Sequence, residues 1–135
     1  MSIDLSQFHQ VFFEESFEGL QVMESSLLDL DCENVDSETI NSIFRAAHSI
    51  KGSSSTFGFT EVAEFTHVLE TLLDQVREGS RQLLSDHVDL LLQSVDCLHS
   101  MLTALQAKEE VDTEQSKVLI QAFNDILEGR ESTSP

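Results

Sequence analysis

Four side chains carry most of the chemistry this chain offers. His48 and Lys51 lie three residues apart, and His67 and Glu70 repeat that spacing further along. On a helix, residues i and i+3 are surface neighbours, so each imidazole stands beside a charge. The apolar residues around the first pair centre on Ile40, Phe44 and Ala47. At about 100° per residue, His48 falls on the shoulder of that stripe, its base on the core and its ring toward solvent. If the two segments form an antiparallel hairpin, the pairs face each other. Glu70 would then accept the Nδ1–H of His48 and fix the tautomer that leaves Nε2 unprotonated and nucleophilic. Lys51 would neutralise charge arriving at Nε2. Each residue also has a plainer reading, as a solvated helical histidine or as one of 25 acidic residues on a wet surface. That reading is weakest for Lys51, one of only three lysines.

Charge singles out the same segment. Between Thr39 and Thr60 there is no acidic residue, while Arg45 and Lys51 add positive charge to a chain whose net charge is −18. A weakly basic patch on an acidic surface suits a group that is anionic or becomes so. Gly52-Ser53-Ser54-Ser55 follows directly. Glycine inside a helix costs about 1 kcal/mol relative to alanine, so Gly52 either ends the helix or keeps the surface low beside His48 for a partner to approach.

The elements that must position these groups are helices. The chain has five glycines, no Trp, no Tyr, and a single proline at position 135. That is too few breakers for a sandwich or barrel, and no β-branched strand runs appear. With 135 residues, 40% of them hydrophobic, the chain is one domain with one core. The charge balance disfavours nucleic acid and anionic lipid. No apolar run approaches a membrane span, the N-terminus lacks signal-peptide features, and Cys32 and Cys97 form no metal or redox motif. A cytoplasmic location is expected.

Five helices are expected. The first runs from about Leu5 to Leu30 with Leu5, Phe8, Phe12, Leu20, Met23, Leu27 and Leu30 on one stripe, Ser16 in the skipped place, and Asp4 or Ser6 as cap. Asp36 caps the second, which turns near Phe57-Gly58-Phe59, with Gly58 suited to a left-handed C-cap. The third begins at Thr60 and stops at Gly79, and Ser85 caps the fourth. Asp112 with Gln115 resembles a capping box for the fifth, which presents Val118, Leu119, Ala122, Phe123, Ile126 and Leu127. Short connections favour an all-α, antiparallel up-down four-helix bundle, with the additional fifth C-terminal helix packed outside the fourth. Residues 1–128 form the domain, and 129–135 read as the start of a linker.

The run Phe44-Arg45-Ala46-Ala47-His48-Ser49-Ile50-Lys51-Gly52, continuing to Thr56-Phe57-Gly58-Phe59, resembles the His-x-x-Lys-Gly signature of histidine phosphotransfer (HPt) domains, in particular those of CheA-type chemotaxis histidine kinases. The stretch from Asp4 to Glu15 and the later Thr66-His67-Val68-Leu69-Glu70 extend the likeness along the chain. The Ser53-Ser54-Ser55 run departs from the Gly and Ala that CheA domains often carry, which bears on partner preference. The resemblance implies that His48 accepts a phosphoryl group, Lys51 and Gly52 complete its motif, and His67 and Glu70 are network partners. It implies approach of partners over Arg45, Gly52 and Ser53. The domain would hold no cofactor of its own, since ATP and magnesium belong to a separate catalytic domain. Its partners would be that catalytic domain and receiver domains of CheY- and CheB-type response regulators. The fragment alone would be monomeric, within a parent histidine protein kinase.

Two other classes remain open on the residues. One is a non-catalytic acidic helical interaction module, which would tolerate His48→Gln. The other is an open zinc site from His48, His67 and Glu70, against which Lys51 argues by charge repulsion. His9, His87 and His99 have no assigned role.

Overall fold

A computed structural model describes residues 5–129, with side chains from residue 7 onward. It contains five α-helices: α1 (Leu5–Asp29), α2 (Ser37–Thr56), α3 (Thr60–Glu78), α4 (Ser85–Gln106) and α5 (Glu114–Leu127). The Asp4 cap and, beyond Gly129, the linker lie outside the described residues.

Helices α1 to α4 close a ring in which α1 packs on α2, α2 on α3, α3 on α4 and α4 back on α1. Among the described residues the diagonal pairs do not approach backbone to backbone, and their side chains share one core. Neighbours run antiparallel: His48 meets Glu70 while Phe44, earlier on α2, meets Arg77, later on α3. The core is built from apolar stripes on all five helices, including Leu20, Met23, Leu27, Ile43, Phe65, Leu72, Leu91, Leu98 and Phe123. Each fully buried large apolar side chain contributes roughly 1.5–3 kcal/mol.

Helix α5 does not sit outside α4 as expected. It packs against both α3 and α4, with more of its length on α3. The α3–α4 pair is the most weakly packed seam of the ring, and Leu119, Phe123 and Ile126 bury themselves there and complete the core. Two expected inward residues face solvent instead. Phe8 is 55% exposed and Val118 69% exposed. Both continue a stripe by spacing, but no neighbouring helix covers that part of it.

The helix ends follow local chemistry. Asp36 is the N-cap of α2, and its carboxylate accepts the Thr39 hydroxyl at 3.0 Å. At the other end Gly58 adopts φ +78°, the Phe59 N–H donates to the Ser54 carbonyl at 2.9 Å, and the Gly58 N–H donates to Ser55. This six-to-one, five-to-two pairing satisfies the last carbonyls of the helix. Phe57 and Phe59 then pack on Phe12 of α1 at centroid distances of 5.5 and 5.3 Å, which ties the α2–α3 turn to α1. Gly79, at φ +84°, ends α3 in the same way.

The start of α4 differs from expectation. Leu84, not Ser85, is the N-cap, and its N–H donates to Nδ1 of His87 at 3.1 Å. The buried His87 ring thus does what Glu or Gln does in a capping box. At α5 the Asp112 carboxylate accepts the Glu114 N–H at 3.0 Å, and Thr113 is the N-cap. Both cysteines are free thiols. Burial, with the charge of Asp112, pushes the Cys97 thiol up to about 11, so it stays protonated in the core.

Candidate functional site

Helix α2 runs unbroken through Gly52 to Thr56, so Gly52 is not a C-cap. A Cβ added there would meet nothing within 4 Å. The domain therefore has no packing reason for a glycine, and the surface beside His48 stays low and open. The three-residue turn at 57–59 brings α3 back along α2 and sets the face carrying Glu70 against the face carrying His48 and Lys51.

Glu70 bridges the two. One carboxylate oxygen, Oε1, accepts from Nζ of Lys51 at 2.6 Å, and the other, Oε2, accepts from Nδ1–H of His48. The carboxyl side chain is only 12% exposed, whereas the His48 side chain is 61% exposed. Burial pushes the Glu70 pKa up, but the hydrogen bonds from Lys51 and His48 and the Lys51 charge outweigh it, so the group titrates below its ordinary range. It is therefore a carboxylate near neutral pH and can only accept hydrogen bonds. A neutral His48 bonded to it must carry its proton on Nδ1, which leaves the Nε2 lone pair pointing into solvent.

The imidazole is also held on its face. Phe44, one helical turn before His48, stacks against it with centroids 5.9 Å apart and planes 13° from parallel. The Arg77 guanidinium of α3 lies over the Phe44 ring, 4.0 Å from its centroid, and Arg77 is held by Asp74 at 2.7 Å. Reading the sequence for chemistry missed this pair. The i, i+4 spacing of Phe44 and His48 was the available signal; the reach of Arg77 across the hairpin had none.

The remaining expected residues fall in two groups. Arg45 and Ser53 line a groove of about 570 Å³ between α1 and α2, floored by Gly19, Ala46 and Ser49. Gly52 adjoins it on the His48 side of the helix. His67 is exposed, and among the described residues no side chain hydrogen-bonds its ring; only its backbone carbonyl is used, by Thr71. The structure thus joins His48, Lys51 and Glu70 and leaves His67 out. Among the described residues no three His, Cys, Asp or Glu side chains are placed to hold a metal ion. No described helix is long and apolar enough to cross a membrane.

A surface histidine tethered at Nδ1, on the second helix of a closed bundle, defines a class. The chain belongs to the Hpt domain family, whose model matches residues 7–108. Within it, the chain is 45% identical to the chemotaxis protein CheA of Salmonella typhimurium, over its whole length and 20% of that protein's. It is 40% identical to CheA of Bacillus subtilis over 76% of this chain and 15% of that one. The chain thus spans about a fifth or less of the length of these curated relatives. Two solved structures share the fold. The phosphorylated P1 domain of CheA3, in complex with CheY6 from R. sphaeroides, superposes with a TM-score of 0.83 at 25% identity, covering 93% of this chain and 98% of that one. The solution structure of the histidine phosphotransfer domain of CheA gives 0.80 at 31% identity, covering 91% and 93%.

Proposed function

We propose that this domain is a phosphoryl carrier in chemotaxis signalling, and that His48 is its acceptor. The observation that carries the reading is the Glu70 carboxylate on His48 Nδ1–H, which leaves the opposite nitrogen as an exposed lone pair. Nε2 attacks the γ-phosphorus of ATP held by a separate catalytic domain. An N–P bond forms as the bond to the ADP oxygen breaks, and ADP departs with that electron pair. The ring becomes cationic, and the Glu70 carboxylate, already in place, stabilises that charge without rearranging. In the return step a receiver-domain aspartate attacks the phosphorus, the N–P bond breaks, and its electron pair goes back to Nε2.

Several features support this division of labour. The family membership supports phosphotransfer, and a related P1 domain is known in complex with CheY6. The sequence carries no Gly-rich phosphate loop, so nucleotide and magnesium are assigned to the catalytic domain of a parent histidine kinase. Lys51 keeps Glu70 ionised at rest, and its side chain, 26% exposed, holds its ammonium within the same cluster for an arriving phosphoryl group. Receiver domains approach over the open surface at Gly52, Arg45 and Ser53. His67 is assigned at most an outer role.

The test is intact-mass analysis after incubation with ATP, magnesium and a CheA catalytic core. One acid-labile phosphoryl group is expected on the wild type and none on His48→Gln, and a CheY-type regulator should remove it. An unmodified wild type, with the kinase active on a control substrate, would leave the interaction module as the account.

A further inference from the structure

A single hydrogen bond does not fix an imidazole. With Nδ1 tethered to Glu70, the ring can still tilt about the line of that bond, and His48 is exposed enough for solvent to permit it. Tilting swings Nε2 away from the direction in which an in-line displacement needs it. A second constraint is present on the ring face. Phe44 lies nearly parallel to the imidazole, and a flat aromatic contact is lost as soon as the ring tilts. Phe44 is itself only half-buried, and the Arg77 cation covers it. Arg77 in turn is fixed by the Asp74 carboxylate one turn back on α3.

We propose that Phe44 and Arg77 are positioning residues for phosphoryl transfer: the Asp74–Arg77–Phe44 stack sets the plane of the His48 ring while Glu70 sets its edge. This rests on the carrier reading above. The two constraints come from different levels of α3, Glu70 midway along it and Arg77 in its last turn. Neither Phe44 nor Arg77 touches the phosphoryl group; they act through the ring.

The test compares Phe44→Leu and Arg77→Gln with wild type in the 135-residue chain. Two readouts are taken: the initial rate of phosphoryl gain from ATP with a CheA catalytic core, and the proton chemical shifts of the His48 ring by NMR, which depend on its tilt relative to Phe44. Both variants are expected to gain phosphoryl about 3- to 10-fold more slowly. The ring-current displacement of the His48 ring protons, set by their place over Phe44, should shrink in Arg77→Gln, which keeps Phe44 but loosens it. Phe44→Tyr and Arg77→Lys, which keep the aromatic face and the cation, should restore rate and shifts. Wild-type rate and shifts in Arg77→Gln overturn the proposal, as does a slowed rate with unchanged shifts or without rescue. Arg77 is exposed, so this variant keeps the test valid even if Phe44→Leu fails to fold. If the wild type takes up no phosphoryl group, the carrier reading fails, and the shifts alone still decide whether the stack holds the ring.

Discussion

His48 and His87 are both helical histidines engaged through Nδ1, and they do opposite things. At the α2–α3 seam, Nδ1 of His48 donates to a carboxylate and the ring stands in solvent. At the start of α4, Nδ1 of His87 accepts from the Leu84 amide and the ring is 2% exposed. The partner decides the tautomer in each case. A carboxylate, which has no proton to give, demands a donor and leaves Nε2 basic. A backbone N–H demands an acceptor and leaves the proton on Nε2. One residue type therefore presents an exposed, basic ring nitrogen in one place and a helix cap in the other, and the difference lies in what faces it.

Substitutions at the two sites should separate chemistry from stability. The largest effect expected is His48→Gln: complete loss of phosphoryl uptake by intact mass, with a melting temperature unchanged, because the side chain is mostly in water. His87→Ala should do the reverse. Loss of the cap and of a buried ring is expected to cost about 2 kcal/mol in urea unfolding, while the folded variant takes up phosphoryl at the wild-type rate. An unimpaired His87→Ala would mean that the cap contributes nothing.

Glu70→Gln attacks the partner rather than the histidine. An amide at that position can donate as well as accept, so the tautomer is no longer imposed, and uptake should slow by about 10-fold or more. The same variant reports on pH. The Glu70 carboxyl titrates lower in the folded chain than in the unfolded one, so its contribution is full above the unfolded value. It is lost as pH falls through the lowered folded value. Wild type minus Glu70→Gln stability, measured by denaturant unfolding from pH 7 downward, should therefore be flat to about pH 5 and decline below it. A difference independent of pH would show that the Lys51 and His48 contacts do not hold the carboxylate.

The smallest effect sharpens the contrast between open and packed surface. Gly52→Ala adds a methyl group where nothing lies within 4 Å. It should raise stability by up to about 1 kcal/mol through helix propensity. Discharge to a regulator should slow if the open surface is where the partner seats, and stopped-flow transfer to a CheY-type receiver reads it.

Much of this was legible beforehand because it depends on local rules. Asp36, Gly58 and Gly79 mark helix ends through their own backbone preferences, and the helix spacing places His48 on a shoulder whatever surrounds it. The His48–Glu70 contact needed one further step, a hairpin, which the short turn supplied. What escaped depends on where neighbouring helices end or which groove they fill. The stripe positions Phe8 and Val118 are uncovered, and α5 chose the α3–α4 seam. His87 escaped because an accepting imidazole is an uncommon substitute for Glu in a capping box. His67 has the right spacing from Glu70, but it is exposed and, among the described residues, no side chain hydrogen-bonds its ring. Arg77 reaches Phe44 only across the hairpin, which no single-helix pattern reveals.

His48 and Glu70 are 22 residues apart along the chain, inside one hairpin closed by a three-residue turn. Loop-closure entropy grows only with the logarithm of the enclosed length, so bringing these two residues together costs the folding chain little. His48 and the carboxylate that faces it thus belong to one hairpin, and among the described residues α1, α4 and α5 pack around that hairpin without supplying a partner to the pair.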